Sequence, residues 1–463
     1  MTLYVIGFIL AFLLVLGSGM PVGFGLGILA LGILTAYTDF EMAIGLGAEK
    51  AYGALDSNIL VAIPLFILVA QLISESGMGK RLFDAARSFC GRYHSGVGVA
   101  TITSSGVFSA MTGSSFVSAS TMGLIAIPEL RRAGYPDKLT AAAITAGGSL
   151  GSVIPPSLVM IIYGYLTNES IGALFMAGVV PGIILMVLYS LTLAFFINRS
   201  FKNRGSAASP ISTSSQEEAP GAASVAADPE VTHMNPPEEV GESHLLTRTE
   251  ALKEAFWGLM APVIILGGIY LGIFTASEAA AVAAVYCLLI GFFVYRTINL
   301  RKLFNILLDA VSVSAMVAMI VVGGAMMTHG VVIGRVPQNI LATVIELDLS
   351  PWLLLIVINV FLFVLGMFLE VLALMYLTIP LLIPVIMYME WDNVWFAVMM
   401  LINVNLALIT PPMGGVLYVV SHIGKMPIGT VIRGAFLPIA VLIFVLILVM
   451  VFPGIATWLP SVM

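Results

Sequence analysis

Apolar runs of spanning or near-spanning length recur along the chain, at about 2–17, 21–38, 58–75, 139–166, 171–197, 256–274, 278–295, 306–330, 394–423 and 434–457. A helix of about 20 apolar residues matches the hydrocarbon core of a bilayer, so these runs predict membrane spans. Two of them carry adjacent prolines near the middle, Pro155–Pro156 and Pro411–Pro412. A proline pair withdraws two backbone donors and clashes with the preceding turn, so 139–166 and 394–423 predict broken helices. Two further stretches, 95–128 and 351–387, are apolar but rich in small residues or interrupted by Gly, and they read as re-entrant hairpins. Between the halves, 203–248 is rich in Ala, Ser, Pro and Glu, with almost no large apolar residue. Such a segment cannot bury enough surface to fold, and a linker over 199–250 reads as a flexible tether.

A constant register links the two halves. Pro128, Pro155 and Pro156 recur, 256 positions later, as Pro384, Pro411 and Pro412. In the same register "GLIAIPEL" meets "IPLLIPVI", "GSLGSVIPPS" meets "VNLALITPPM", and "GMPVGFGLG" meets "TASEAAAVA". These read as homologous repeats, 1–198 and 251–463, each with scaffold helices, a hairpin and a broken helix. A hairpin adds no crossing, so the first repeat crosses five times and the second begins on the opposite face. The expected fold is an all-α polytopic membrane protein with inverted topology, the plan of many secondary transporters.

Charge fixes the orientation. With the linker in the cytoplasm, 17 of the 19 Lys and Arg residues fall inside, leaving Lys50 and Arg335 outside. That bias is the positive-inside pattern. Both termini are then periplasmic, and 39–57 is an acidic outer loop. Hydrophobic residues make up 60% of the chain and charged ones 10%, which excludes a soluble domain. A net charge of −6 argues against nucleic-acid binding. The first run lacks a basic start and a small-x-small cleavage site, so it reads as a helix rather than a leader. Cys90 and Cys287 form no disulfide or zinc pattern. His94, His329 and His422 are isolated. No Walker A loop and no His-Glu-x-x-His, paired-aspartate or Ser-His arrangement occurs, which argues against an ATPase or an enzyme.

The chemistry is expected at the breaks. A helix broken in mid-membrane leaves free carbonyls at one end and free N–H groups at the other. The former suit a cation and the latter an anion. Such backbone persists in the membrane only inside protein or beside water. The first hairpin, "TITSSGVFSAMTGSSFVSASTMG", is dense in hydroxyls, and Gly113 can turn its tip. Hydroxyl and carbonyl oxygens suit a hard cation. A first cation site is therefore expected from Ser109 and Thr112 with carbonyls of Gly151, Ile154 and Pro156. Thr101, Thr103 and Ser118 fit helix packing as well as ligation. A second site is expected from Gly366, Thr410, Pro412 and Met413, with the intramembrane carboxylate Glu370 and Asn405 close by. Asn403 adds a further polar group. Substrate contacts are expected from Ser114, Ser115, Ser149, Ser152, Asn405 and Gly414. Glu278, after "TAS", reads as an acidic first turn behind a Thr275 cap, and Asp56–Ser57–Asn58 as another helix start.

The segments "GMPVGFGLG", "IPLFILVAQLISESG", "GGSLGSVIPPSLVMIIYG", "FTASEAAAVAAVY", "GMFLEVLALMYLTIPLLIPV" and "NLALITPPMGG" together resemble the large membrane subunit of tripartite ATP-independent periplasmic (TRAP) transporters. The resemblance covers about 1–460 except the linker. It implies an elevator-type, sodium-coupled importer of small organic anions in a bacterial inner membrane. It also implies two partners, a small four-helix membrane subunit and a periplasmic substrate-binding protein. Its functional positions fall on Ser109–Ser115, Gly151–Pro156, Gly366–Glu370 and Thr410–Gly414. The chain departs from the family in having "FTASEAAA" for the usual "FTPTEAAA", Gln71 at a usually small or apolar position, and a longer linker. The main alternative is a single-component sodium/dicarboxylate symporter, which would share the hairpins but need no binding protein.

Overall fold

The computed structural model describes residues 19–57, 59–90, 95–205 and 247–462. The expected first span 2–17, most of the linker, Asn58 and His94 lie outside the described residues. Everything regular among the described residues is helical. The first half runs Val22–Tyr37 (α1), Phe40–Leu55 (α2), Ala62–Glu75 (α3), Met78–Cys90 (α4), Gly96–Thr112 (α5), Ser115–Arg132 (α6), Asp137–Ser149 (α7), Leu158–Thr167 (α8) and Ile171–Gly205 (α9). The second runs Arg248–Tyr270 (α10), Ala276–Leu289 (α11), Leu300–Ile333 (α12), Val336–Glu346 (α13), Pro351–Gly366 (α14), Val371–Tyr388 (α15), Asn393–Leu408 (α16), Gly415–Gly424 (α17), Ile428–Val451 (α18) and Gly454–Ser461 (α19).

The expected hairpins are α5–α6 and α14–α15, and the expected broken helices are α7–α8 and α16–α17. The register of 256 holds to the residue at the starts of α6 and α15 and of α7 and α16. The Pro155–Pro156 and Pro411–Pro412 bonds are both cis. Cross-contacts reveal how the repeats are related. On one face, Asn393 at the start of α16 donates to Glu169 just past the end of α8, at 2.9 Å, and its carbonyl accepts from the Tyr163 hydroxyl at 3.0 Å. On the other face, Arg131 joins the start of α7 to the end of α17, donating to Asp137 at 3.0 Å and to the Gly424 carbonyl at 2.8 Å. Each broken helix therefore begins where the other ends. Likewise α6 packs on α17 and α15 on α8. Antiparallel equivalence of this kind is what inverted topology requires.

Around this centre lie α1–α4 and α10–α13. Helices α1 and α12 cross at backbone distance, because Gly23 faces the Met319 carbonyl and Gly323 faces the Gly23 carbonyl. Small residues permit such an approach, and close packing is what drives association where lipid is as apolar as the helices. Lys302 binds the Glu75 carboxylate at 2.9 Å, and Thr297 donates to the Ser76 carbonyl at 3.0 Å. These contacts close the turn between α3 and α4, which bend by 62°.

Two sequence expectations change. The segment 39–57, read as a loop, contains helix α2, whose small face Ala43, Gly47 and Ala54 is buried. α2 also packs on α12. Its charges conceal it from a search for spans, yet nothing in it breaks a helix. The helix start expected at Asp56–Ser57 is instead the end of α2; α3 opens at Ala62. At Glu278 the cap is present in full. Thr275 N–H donates to the Glu278 carboxylate at 2.8 Å, and the Thr275 hydroxyl accepts from Glu278 N–H at 3.3 Å. This reciprocal box satisfies donors the helix cannot.

Candidate functional site at the hairpin tips and helix breaks

The first hairpin turns in two residues. Gly113 ends α5 in the left-handed conformation, φ +63°, which costs glycine nothing. Ser114 is extended and caps α6, its hydroxyl accepting from Val117 N–H at 3.4 Å. The tip rests directly on the break of α7–α8. A methyl at Gly113 would lie 2.5 Å from the Pro156 carbonyl oxygen, and one at Gly151 would lie 2.5 Å from that of Ser114. The break itself is a single tight turn, Leu150–Ser152, followed by the proline pair.

Hydroxyls converge behind this contact. Ser109 donates to the Ser118 hydroxyl at 3.1 Å, and Thr112 lies 3.2 Å from the same oxygen. Ser115 donates to Ser152 across the tip–break contact at 3.1 Å. All five side chains are buried. Gly151 and Pro156 are buried too, while Ile154 is half-buried. The tip thus meets the break at Gly151 and Pro156, and behind it Ser118 joins Ser109 to Thr112. The sequence left Ser118 open between helix packing and ligation. It lies one turn after the tip on α6, as Ser109 lies one turn before it on α5, and that symmetry about Gly113–Ser114 was the available signal.

The second hairpin is built differently. Its tip, Met367–Glu370, is longer, and Glu370 sits where Ser114 sits in the first. The Glu370 carboxylate accepts from Leu372 N–H at 2.9 Å and Ala373 N–H at 3.3 Å. This cap gives the carboxylate backbone donors and sets it at the positive end of the α15 dipole. A methyl at Gly366 would lie 2.8 Å from the Ala407 side chain, so this hairpin meets α16 one turn before Thr410. Thr410 donates to the Leu406 carbonyl at 2.6 Å, and Tyr418 to that of Pro412 at 3.1 Å. Gly414 turns the chain into α17 at φ +31°. Pro412 and Met413 are exposed, unlike the first break.

Two polar contacts tie the breaks to their surroundings. Asn405, expected near Glu370, donates to the Ser149 carbonyl in the other repeat. The Ser149 hydroxyl lies 3.0 Å from that of Tyr189 on α9. Asn403 donates to both the carbonyl and the side-chain oxygen of Asn359, each at 2.9 Å. Neither Tyr189 nor Asn359 was identified from the sequence, because their partners lie in other helices. Buried oxygens of Asn405 (Oδ1), Asn403 (Oδ1) and Ser157 (Oγ) have no protein partner here, and a buried polar atom normally requires one. Among the described residues no three His, Cys, Asp or Glu side chains cluster. The donors at the breaks are hydroxyl, amide and carbonyl oxygens, a set that favours hard cations over transition metals.

Among the described residues, six helices are long and apolar enough to cross a membrane, or seven with the bent α3–α4 pair. Paired hairpins and broken helices on such a framework define a multi-pass membrane transport protein. A family profile described as "Tripartite ATP-independent periplasmic transporter, DctM component" matches residues 8–455, and the chain belongs to that family. It is a large permease subunit, a transport protein and not an enzyme. It is 36% identical to the sialic acid TRAP transporter large permease protein SiaM of Vibrio cholerae, over 98% of each chain. It is 34% identical to the C4-dicarboxylate TRAP transporter large permease protein DctM of Pseudomonas aeruginosa, over 89% of each. Among solved structures, the Alcanivorax borkumensis YdaH transporter matches with a TM-score of 0.58, covering 90% of this chain and 89% of that one. At 14% identity that likeness concerns the fold alone.

Proposed function

We propose that this subunit imports a small organic anion, of the carboxylate or similar class, together with sodium. It works with a small membrane subunit and a periplasmic binding protein that delivers the anion. The observation that carries this reading is the buried meeting of Ser109, Thr112 and Ser118 at a hairpin tip seated on a helix break. Ser109 and Thr112, with carbonyls of Gly151, Ile154 and Pro156, hold one sodium ion as co-substrate. Gly366, Thr410, Pro412 and Met413 hold a second, with Glu370 shaping the tip rather than ligating. Ser114, Ser115, Ser149, Ser152, Asn405 and Gly414 face the anion.

An inner-membrane location with the linker in the cytoplasm and both termini periplasmic accords with the Lys and Arg distribution. Each cation moving down the membrane potential supplies about 2.3 kcal/mol per 100 mV. The hairpins and broken helices form one packed group, and α1–α4 with α10–α13 another. An elevator motion of the first against the second delivers the site to each face.

The test is uptake into proteoliposomes holding this chain and its small subunit, with sodium and proton gradients imposed separately. Sodium-driven uptake of an organic anion that requires the binding protein supports the proposal. Sodium-driven uptake without it establishes a single-component symporter, and proton-driven uptake removes sodium coupling.

A further inference from the structure

A groove of about 830 Å³ opens between α7, α9 and α18, away from the hairpin tips. Its rim carries Lys138 on α7, Arg199 on α9 and Arg433 on α18. All three are exposed, and among the described residues none makes an ion pair. Below the rim the wall is apolar, with Phe196, Leu437 and Phe444. At one edge α18 touches α7 directly: a methyl at Gly434 would lie 2.5 Å from the Lys138 carbonyl. The opening is therefore a wedge between the broken helix and the long span α9. Three like charges left unpaired around an apolar cleft lack a counter-ion. They lie at the ends of membrane helices, Arg199 near the end of the span Ile171–Lys202. A basic rim over an apolar cleft, at the level where helices leave the bilayer, complements one kind of molecule in both parts. Its volume lies within the range of small-molecule sites.

We infer that this groove binds an anionic phospholipid, the phosphate held by Lys138, Arg199 and Arg433 and an acyl chain lying against Leu437 and Phe444. A soluble anion would leave the apolar wall uncovered. The acidic linker is poor in large apolar side chains and would do the same. The lipid fills the wedge between α7 and α9, so its occupancy sets how freely the broken helix shifts against the long one.

The experiment uses the full chain with its small subunit in detergent, titrated with phosphatidylglycerol, phosphatidylcholine or inorganic phosphate and read by native mass spectrometry and thermal unfolding. Phosphatidylglycerol should bind and stabilise at least about tenfold more tightly than phosphatidylcholine, and the triple variant Lys138→Gln, Arg199→Gln, Arg433→Gln should lose that preference. Leu437→Trp, which fills the cleft and keeps the charges, should weaken phosphatidylglycerol binding as well. Both variants must unfold like the parent in phosphatidylcholine; if the triple variant does not, Leu437→Trp decides. Equal binding of the two lipids, an unchanged preference in the variants, or equal stabilisation by inorganic phosphate overturns the proposal. So does a photo-crosslinker at Phe444 that captures the small subunit or the linker instead of phospholipid.

Discussion

The amide of Asn405 donates a hydrogen bond to the backbone carbonyl of Ser149, the residue 256 positions earlier that occupies the same place in the other repeat. The two broken helices therefore touch at equivalent points, on the axis that relates the halves. Asn405→Ala leaves that buried carbonyl without its donor, a cost of about 1–3 kcal/mol. The thermal midpoint in detergent should fall, and transport should fall with it. A midpoint equal to the parent's would show that the contact contributes nothing.

The hydroxyl cluster makes a sharper prediction. Ser109→Ala with Thr112→Ala should raise the sodium concentration for half-maximal uptake by about tenfold, equivalent to roughly 1.4 kcal/mol. Ser118→Ala should move it in the same direction, since both other hydroxyls meet its oxygen. Sodium dependence left unchanged in the double variant removes these residues from the cation site.

Much of this was legible in the sequence, for a physical reason. A proline pair in a membrane helix has only one local consequence, so the breaks and their register could be read directly. The hairpins announced themselves through small residues and a turning glycine. What escaped depends on partners brought in by packing. Tyr189 meets Ser149 from α9, Asn359 meets Asn403 from α14, and neither has a sequence neighbour that hints at it. Helix α2 escaped because its charges masked an ordinary helix. Glu370 was legible as an intramembrane carboxylate, but the cap it forms on α15 depends on backbone geometry that spacing alone left open.

Glycine at the tip is a steric requirement. Gly113→Ala must accept both φ +63° and a methyl 2.5 Å from the Pro156 carbonyl oxygen. The backbone term is roughly 1–2 kcal/mol, and forced overpacking adds about 1–3. The variant should insert normally and lose most transport, measured as uptake per correctly inserted protein. Normal uptake would show that the tip need not seat on the break.

Glu370→Gln retains a side-chain oxygen able to cap α15, whereas Glu370→Ala retains none. The Gln variant should keep sodium-driven uptake within about twofold. The Ala variant should lose about 0.5–2 kcal/mol of stability. If Glu370→Gln abolishes uptake while unfolding like the parent, the charge itself takes part in transport.

Removing residues 206–246 and joining the ends with a short Gly/Ser spacer should leave uptake near the parent level, as expected of a tether poor in apolar residues. Loss of uptake in a correctly inserted variant would give the segment a role of its own.

The two breaks differ in exposure: the first is sealed beneath its hairpin, while Pro412 and Met413 of the second are open. In halves that run in opposite directions, this is a door shut on one side and ajar on the other. The shared register makes the reverse arrangement constructible. Giving residues 101–167 the backbone now held by 357–423, and the converse, turns the opening to the opposite face. Under the proposed elevator motion, each half then already displays the conformation its counterpart would take in the other state.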